Sequence, residues 1–482
     1  MTARRRDGGG RSTQPRPRSA RAPASSAAAV SAITPARVAA FDALAAVAEG
    51  RAADDALAES FAALREPAPA DRALAHELVY GVLRMRRRLD TVLARYAKKG
   101  LPREGVVLDA LRVGAYTLLF LDRVPPHAAV STSVEAARHR GAEFAVGFVN
   151  ATLRAVARDA AQIRAEAPPA AGAATKELAE WHSFPDWMAR AFAESGGKDL
   201  AALLAASNEP APLVLRATPK AGSRDALLAA LREAGQVAEP SRFAPDAVVL
   251  REARGQIPAL PGFAEGTFAV QDEAAQLVTE MLEPLAGETL LDLCAAPGGK
   301  AIHAAHRGAR VTALDADAHR LERVREAATR LQAPLEIVSE EVGEAGAKAL
   351  AGKTYSRVLV DAPCSGTGII RRKPDAKWAR AAQEIPRLAA RQAAILEGGA
   401  RHVAPGGLLV YSVCSLLRAE GEAVVDAFVA AHPEFARVDL ATLPRGAQLA
   451  AFRTARGEFR SDPATHGVDG FFAAALRRTP SA

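Results

Sequence analysis

The sequence predicts three folded parts in series: an all-α domain, a small α+β unit, and an α/β domain on a mostly parallel, doubly wound sheet. Three observations predict it. Apolar residues recur at helical spacing from residue 34 to about 160. Two strand-like segments flank a helical one between 161 and 280. From 281 to 480 short apolar runs alternate with helical stretches, as strands and crossover helices do in a parallel sheet.

Residues 1–33 precede these parts. They are rich in Arg, Pro, Ser, Gly and Ala and lack the apolar periodicity needed to offset the entropy of ordering, so a disordered basic tail is expected. The all-α domain opens at Thr34-Pro35, an N-cap followed by a proline at the first helical position. Val38, Phe41, Leu44 and Val47 then follow at helical spacing, and Asp71 to Tyr96 repeats the pattern. Leu108 to Leu121 is apolar almost all round, as a central bundle helix should be. Pro125-Pro126 breaks it, and two more helices reach Arg158.

In the α+β unit, Leu213–Arg216 and Ala247–Leu250 read as strands, with a helix over Arg224–Ala234 between them. Asp272–Leu282 reads as a helix leading into the last domain. There the expected strands are Thr289–Leu293, Arg310–Leu314, Arg357–Val360 and Gly407–Ser412.

Composition narrows the function classes. The net charge is +7, but seven arginines and Asp7 within residues 1–33 account for +6 of it. Any surface for nucleic acid on the folded body must therefore be a local patch. No run approaches the ~20 apolar residues of a membrane helix. The first residues lack the apolar core of a secretory signal, so the cytoplasm is expected. Three cysteines in 482 residues make no disulfide framework and show no zinc-ligand spacing, so no metal is expected. Without a heptad pattern, a monomer is expected.

All three cysteines fall in the α/β domain. Leu290-Leu291-Asp292-Leu293-Cys294-Ala295-Ala296-Pro297-Gly298-Gly299-Lys300 runs from a strand into a small-residue turn, where backbone can approach a ligand closely. Asp315, 23 residues after Asp292, stands at the tip of the next strand, where an acid can accept from ribose hydroxyls. The spacing of a phosphate-cradling loop is absent. Asp361-Ala362-Pro363-Cys364 follows another strand, and Tyr411-Ser412-Val413-Cys414-Ser415 a further one. An inert cysteine packs as a small apolar group, mid-strand. Two thiols at the carboxyl ends of strands, on the edge that carries the Gly-rich loop, point instead to a reactive cleft.

Together these segments resemble the RsmB/Sun/Fmu family of ribosomal RNA cytosine-C5 methyltransferases, within the NOL/NOP/Sun group. The resemblance covers nearly all of the chain after residue 34. It implies a NusB-like RNA-binding domain over 34–160, a small linker domain over 161–280 and a Rossmann-like methyltransferase domain over 281–480. Tyr80-Gly81-Val82-Leu83-Arg84, Pro126–Val130 and Phe148–Arg154 look like parts of the first. The resemblance makes Cys294, Ala295, Ala296, Pro297, Gly298, Gly299 and Lys300 the S-adenosyl-L-methionine loop, and Asp315 the ribose acid. Asp361 and Cys364 match the Asp-Ala-Pro-Cys motif. Cys414 matches the Thr-Cys-Ser motif that carries the nucleophile, and Cys364 would help release the product. Arg371, Arg372 and Lys373 look like a basic segment beside the pocket, where phosphate contact is expected.

Three departures stand out. Val413 replaces the Thr before the nucleophile, and Thr218 replaces an Asn. Val338-Ser339-Glu340-Glu341-Val342 stands where the family has Gly-Asp, which puts Glu341 near the adenine. The implied chemistry suits a thiol. Cytosine C5 is a poor nucleophile, and a thiolate added at C6 makes C5 an enamine carbon. Asp361 would donate at N3 if protonated, or orient the exocyclic amine if ionised. The expected partner is RNA, with 16S ribosomal RNA first and tRNA second. The competing readings are an assembly factor that binds RNA without catalysis, and a methyltransferase on DNA or protein.

Overall fold

The computed structural model describes Thr2 and residues 33–98, 100–195, 199–252, 256–283 and 286–480. The basic tail expected over 1–33 lies, but for Thr2 and Ile33, outside them. Six helices build the first domain: α1 (Pro35–Ala48), α2 (Ala53–Ala63), α3 (Pro69–Tyr96), α4 (Val106–Phe120), α5 (Pro126–His139) and α6 (Val146–Arg164). Of the periodic residues named above, Phe41 and Leu44 enter the core and Val47 packs against it. Phe41, Leu44, Leu78, Leu89, Leu111 and Leu153 are all buried in one cluster, with α4 at its centre.

The α+β unit is an antiparallel four-stranded sheet in the order β2-β3-β1-β4, from β1 (Leu213–Ala217), β2 (Val237–Pro240), β3 (Ala247–Glu252) and β4 (Phe268–Val270). The helix Arg224–Glu233 packs Leu227, Leu228 and Leu231 onto it. One part of the 161–280 span goes elsewhere. The short helices Thr175–Trp181, Asp186–Glu194 and Leu200–Ala206 share a core with Ile370, Ile385, Leu416 and Leu417 of the last domain. Their apolar residues show helical spacing but carry no signal of which neighbour they cover.

The last domain holds β5 (Thr289–Asp292), β6 (Arg310–Asp315), β7 (Leu335–Ser339), β8 (Tyr355–Asp361), β9 (Val403–Val413), β10 (Phe435–Val438), β11 (Phe459–Ser461) and β12 (Phe471–Arg478). The sheet order is β10-β12-β9-β8-β5-β6-β7, with β11 also on β12. The run from β7 to β9 is parallel, and β12 adds antiparallel to β9. β5 lies between β6 and β8, so the chain reverses its winding there. Ligands of open α/β sheets bind at such a point, beyond the carboxyl ends of the strands. Among the described residues no helix is long and apolar enough to cross a membrane.

Charged side chains stitch the domains together. Arg87 on α3 donates to the Phe184 carbonyl at 2.7 Å and to Asp186 at 2.6 Å. Arg307 of the last domain bridges Asp246 of the small sheet and Glu280 on the helix Glu273–Met281, at 2.7 and 2.6 Å. The fully buried Lys377 ammonium donates to the carbonyls of Arg84 and Ser183 and to Asn208 Oδ1, all within 2.9 Å. It thereby pins three segments at one point. Replacing it by Met orphans three buried acceptors. Lys377→Met is expected to cost about 3 kcal/mol and to lower Tm by several degrees in thermal unfolding of the whole chain. An unchanged Tm would mean that the ammonium contributes nothing to domain docking.

Candidate active site

Parallel strands β5 to β9 deliver their carboxyl ends to one edge of the sheet. β5 runs into the loop Leu293–Gly298, and Gly298 takes φ +99, a left-handed conformation that starts the helix Gly299–His306. The loop is tied down at each step. Ala295 N donates to the Leu314 carbonyl at 2.9 Å, and Ala296 N donates to Asp315 Oδ2 at 3.0 Å. Arg320 holds the Ala296 carbonyl at 2.6 Å. Asp315 is nearly buried, and its Oδ1 accepts from Asp317 N, so lone pairs remain for a further donor. Glu341 stands beyond β7 on the cavity rim, its side chain well exposed and 3.5 Å from Arg391. Close-approach backbone beside two carboxylates at adjacent strand ends is a donor set that fits a nucleoside.

The thiols meet beside it. Asp361 ends β8 and is paired in register with Ser412 on β9. Ser412 Oγ donates to Asp361 Oδ1 at 2.7 Å, and Lys300 Nζ donates to Asp361 Oδ2 at 2.6 Å. Just beyond, Cys364 Sγ and Cys414 Sγ lie 3.3 Å apart, in hydrogen-bond contact and outside disulfide length. The bond to Cys414, then burial, pushes the Cys364 thiol well up. Burial pulls the Lys300 ammonium down, but Asp361 and Cys414 outweigh it and hold it above its ordinary value. Cys294 differs from both. Burial, reinforced by Asp292, Asp315 and Asp361, drives its thiol far up, so it packs as a neutral wall.

One cavity of about 1120 Å³ is lined by both the turn after β5 and the two thiols. Cys294, Ala296, Pro297, Asp315 and Glu341 line one end, and Asp361, Cys364 and Cys414 line the floor. Leu44, Val82 and Arg86 of the helical domain face them across the cleft.

The basic run requires correction. Arg371 is buried, donating to the carbonyls of Glu209 and Gly467. Arg372 is clamped between Asp469 at 2.6 Å and Asp272 at 2.8 Å, and also donates to the Pro212 carbonyl. Both guanidinium groups are engaged by internal acceptors. Lys373 is the exposed member of the run, 4.0 Å from Asp54 at the cavity. Trp378 is likewise structural: its Nε1 donates to the Leu83 carbonyl at 2.6 Å, and Arg86 stacks on its ring.

Several contributors carry no obvious mark in the sequence. Ser412 was read only as a strand residue. Ser365, Thr367, Ser415 and Glu420 form a buried polar knot beneath the thiols. The cue that points to them is that a serine follows both Cys364 and Cys414. Val413, the departure before Cys414, faces the core in register with Phe472, while the hydroxyl beside Asp361 comes from Ser412. Gly368 N donates to the Cys414 carbonyl at 3.0 Å, and Gly470 N donates to the Gly368 carbonyl at 2.8 Å. A Cβ on Gly368 would lie 1.9 Å from the Gly470 oxygen. Gly368→Ala must therefore push the two loops apart, at a cost of about 1–3 kcal/mol in urea unfolding. A variant as stable as the parent would mean that this contact is slack.

Comparison with known proteins places the molecule. The family model of 16S rRNA methyltransferase RsmB/F matches residues 279–477, the NusB family matches 34–158, and the ferredoxin-like domain of RsmF/B-like methyltransferases matches 184–256. The ribosomal RNA small subunit methyltransferase B of Pseudomonas putida is 38% identical over 426 residues, 86% of this chain and 94% of its own. Its namesake in Vibrio cholerae is 37% identical over 422 residues, 86% and 92%. The structure of NSun6 from Pyrococcus horikoshii shares the fold, with TM-score 0.55 and 19% identity over 62% of this chain and 99% of that one. With all three domain models in order and the curated relatives matched over most of their length, the chain belongs to the RsmB/F family of rRNA methyltransferases.

Proposed function

We propose that the chain methylates C5 of a cytosine in RNA, 16S ribosomal RNA by preference, through a covalent bond from Cys414 to C6. The observation that carries this reading is the meeting of Cys414 and Cys364 at 3.3 Å beside the Lys300–Asp361 pair, in one cavity with the nucleoside loop. The family and the names of its curated members favour ribosomal RNA of the small subunit as the substrate. Bound along Cys294–Lys300, with Asp315 at its ribose and Glu341 towards its base, S-adenosylmethionine would supply an electrophilic methyl group.

The residues divide the work as follows. The target base leaves its stack, or is already unpaired, and enters the cleft between the helical and catalytic domains. Cys414 Sγ, as thiolate, adds to C6 and makes C5 nucleophilic. Lys300 places positive charge beside that sulfur, the setting in which thiolates form. Asp361, its two oxygens fixed by Lys300 and Ser412, orients the pyrimidine edge. After C5 is methylated its proton must leave before the S–C6 bond can break. Cys364, kept as a thiol, touches the sulfur that departs and assists its release.

Methyl transfer from labelled S-adenosylmethionine to unmodified 16S rRNA tests this. Cys414→Ala is expected to lose more than ~10³-fold in rate. Cys364→Ala is expected to accumulate a covalent protein–RNA adduct that survives denaturing electrophoresis. A wild-type protein that binds the cofactor and methylates no RNA would replace this reading with that of a binding factor. The correction of the basic run gives a second test. Lys373→Ala should weaken RNA binding several-fold and reduce the slope of log affinity against log salt by roughly one. Arg372→Ala should instead lower Tm, because it strands Asp469 and Asp272 without their cation. Loss of RNA affinity in Arg372→Ala at an unchanged Tm would restore the phosphate-binding reading.

A further inference from the structure

Glu420 lies six residues after Cys414, has no exposed surface, and carries four hydrogen bonds on its two oxygens. Oε1 accepts from Ser365 N at 2.8 Å and from Gln392 Nε2 at 3.0 Å. Oε2 accepts from the hydroxyls of Ser365 and Ser415, the latter at 2.6 Å. Ser365 directly follows Cys364, and Ser415 directly follows Cys414. Gln392 also donates to the Pro363 carbonyl, the residue before Cys364, at 3.0 Å. Thr367 Oγ1 joins Ser415 at 3.0 Å and accepts from Leu416 N. The Glu420 carbonyl accepts from the Tyr411 hydroxyl, on the strand that delivers Cys414. One carboxylate thus reaches both thiol loops from beneath, by the residues next to the sulfurs and not by the sulfurs themselves.

We infer that Glu420 is the positioning residue that sets the separation of Cys364 from Cys414, a role that rests on the covalent reading above. A buried carboxylate is costly unless every lone pair is used. Here all four are used, and the donors come from both loops and the helix Ile385–Ala400. Movement of either loop therefore breaks bonds to a desolvated charge, which makes the pairing stiff. The same charge adds to the forces that keep Cys364 a neutral thiol beside Cys414.

Two readouts on the full-length protein test this. The first is the rate at which diamide oxidises Cys364 and Cys414 to a disulfide, followed by peptide mapping. Two thiols lose two electrons and two protons to the diazene, and the rate reports how near the sulfurs sit. The second is kcat and KM for methyl transfer to 16S rRNA. Glu420→Gln preserves volume but puts two N–H groups where two acceptor sites were. It should slow disulfide formation by about tenfold and kcat by roughly 10²-fold, with KM and cofactor Kd near the parent values. Ser415→Ala removes one arm only and should give intermediate losses, which keeps the test open if Glu420→Gln fails to fold. Parent-like disulfide rates in both variants, or in Ser415→Ala alone where Glu420→Gln fails to fold, would overturn the inference. A wild type that forms the disulfide rapidly, is slowed by these variants and yet methylates no RNA would support the positioning role and refute the covalent reading.

Discussion

The register between β8 and β9 is the constraint on which the site depends. Asp361 lies opposite Ser412, and the two side chains bond across the strands. Beyond that pair, the loops that leave the two strands bring Cys364, three residues after Asp361, and Cys414, two after Ser412, to the same edge. A slip of one residue would turn Ser412 to the opposite face and carry the sulfurs apart, because side chains alternate along a strand. Within the pair, the Asp361–Ser412 bond and an irregularity between Tyr355 and Arg357 mark the register. Contacts from outside the pair reinforce it. β12 pairs antiparallel with β9 and brings Gly470 onto Gly368, while the Glu420 knot ties the loops below.

This explains which parts of the molecule were legible in the sequence. Long helices declare themselves, α1 and α3 by apolar residues at helical spacing and α4 by being apolar almost all round, and all three lie where those patterns predict them. Four of the five parallel strands were legible because apolar runs alternate with helices and end at chemically unusual residues; β7, which has no fully buried residue, was not. Cys364, Cys414, Asp361 and the Gly-rich loop do converge on one cavity. The antiparallel β10 and β11 were not legible, being short and without alternation that a single sequence reveals. Nor was the allegiance of the helices between 175 and 206, which is decided by contacts with Ile370 and Leu416 far along the chain.

Charged residues were the least legible of all. A run such as Arg371-Arg372-Lys373 reads as a basic surface because charge is usually solvated, and only the fold reveals acceptors waiting for it. Arg372 meets Asp469 and Asp272, and Arg371 meets two carbonyls. Lys377 and Glu420 follow the same logic. Each is a strongly polar end group out of water, tolerable because three or four fixed partners replace its hydration. These groups join parts of the chain that hydrophobic contact alone would leave free to slide. Burial of charge is directional where burial of leucine is not, and a site that must hold two sulfurs at a set distance needs direction.

The same accounting bears on which ligand the cleft suits. Asp292, Asp315 and Asp361 crowd the carboxyl ends of three adjacent strands, with Lys300 as the cation among them. Asp292, buried behind the cavity, is pushed up to about 7 by burial first and by the charge of Asp361 second. An anionic ligand would aggravate this crowding of acids. A cationic sulfonium would relieve it, and at the same time be drawn to the end of the cavity where Cys414 waits. The carboxylates at these strand ends thus favour a cationic ligand over a phosphate-bearing nucleotide. The absence of a phosphate-cradling loop in the sequence points the same way.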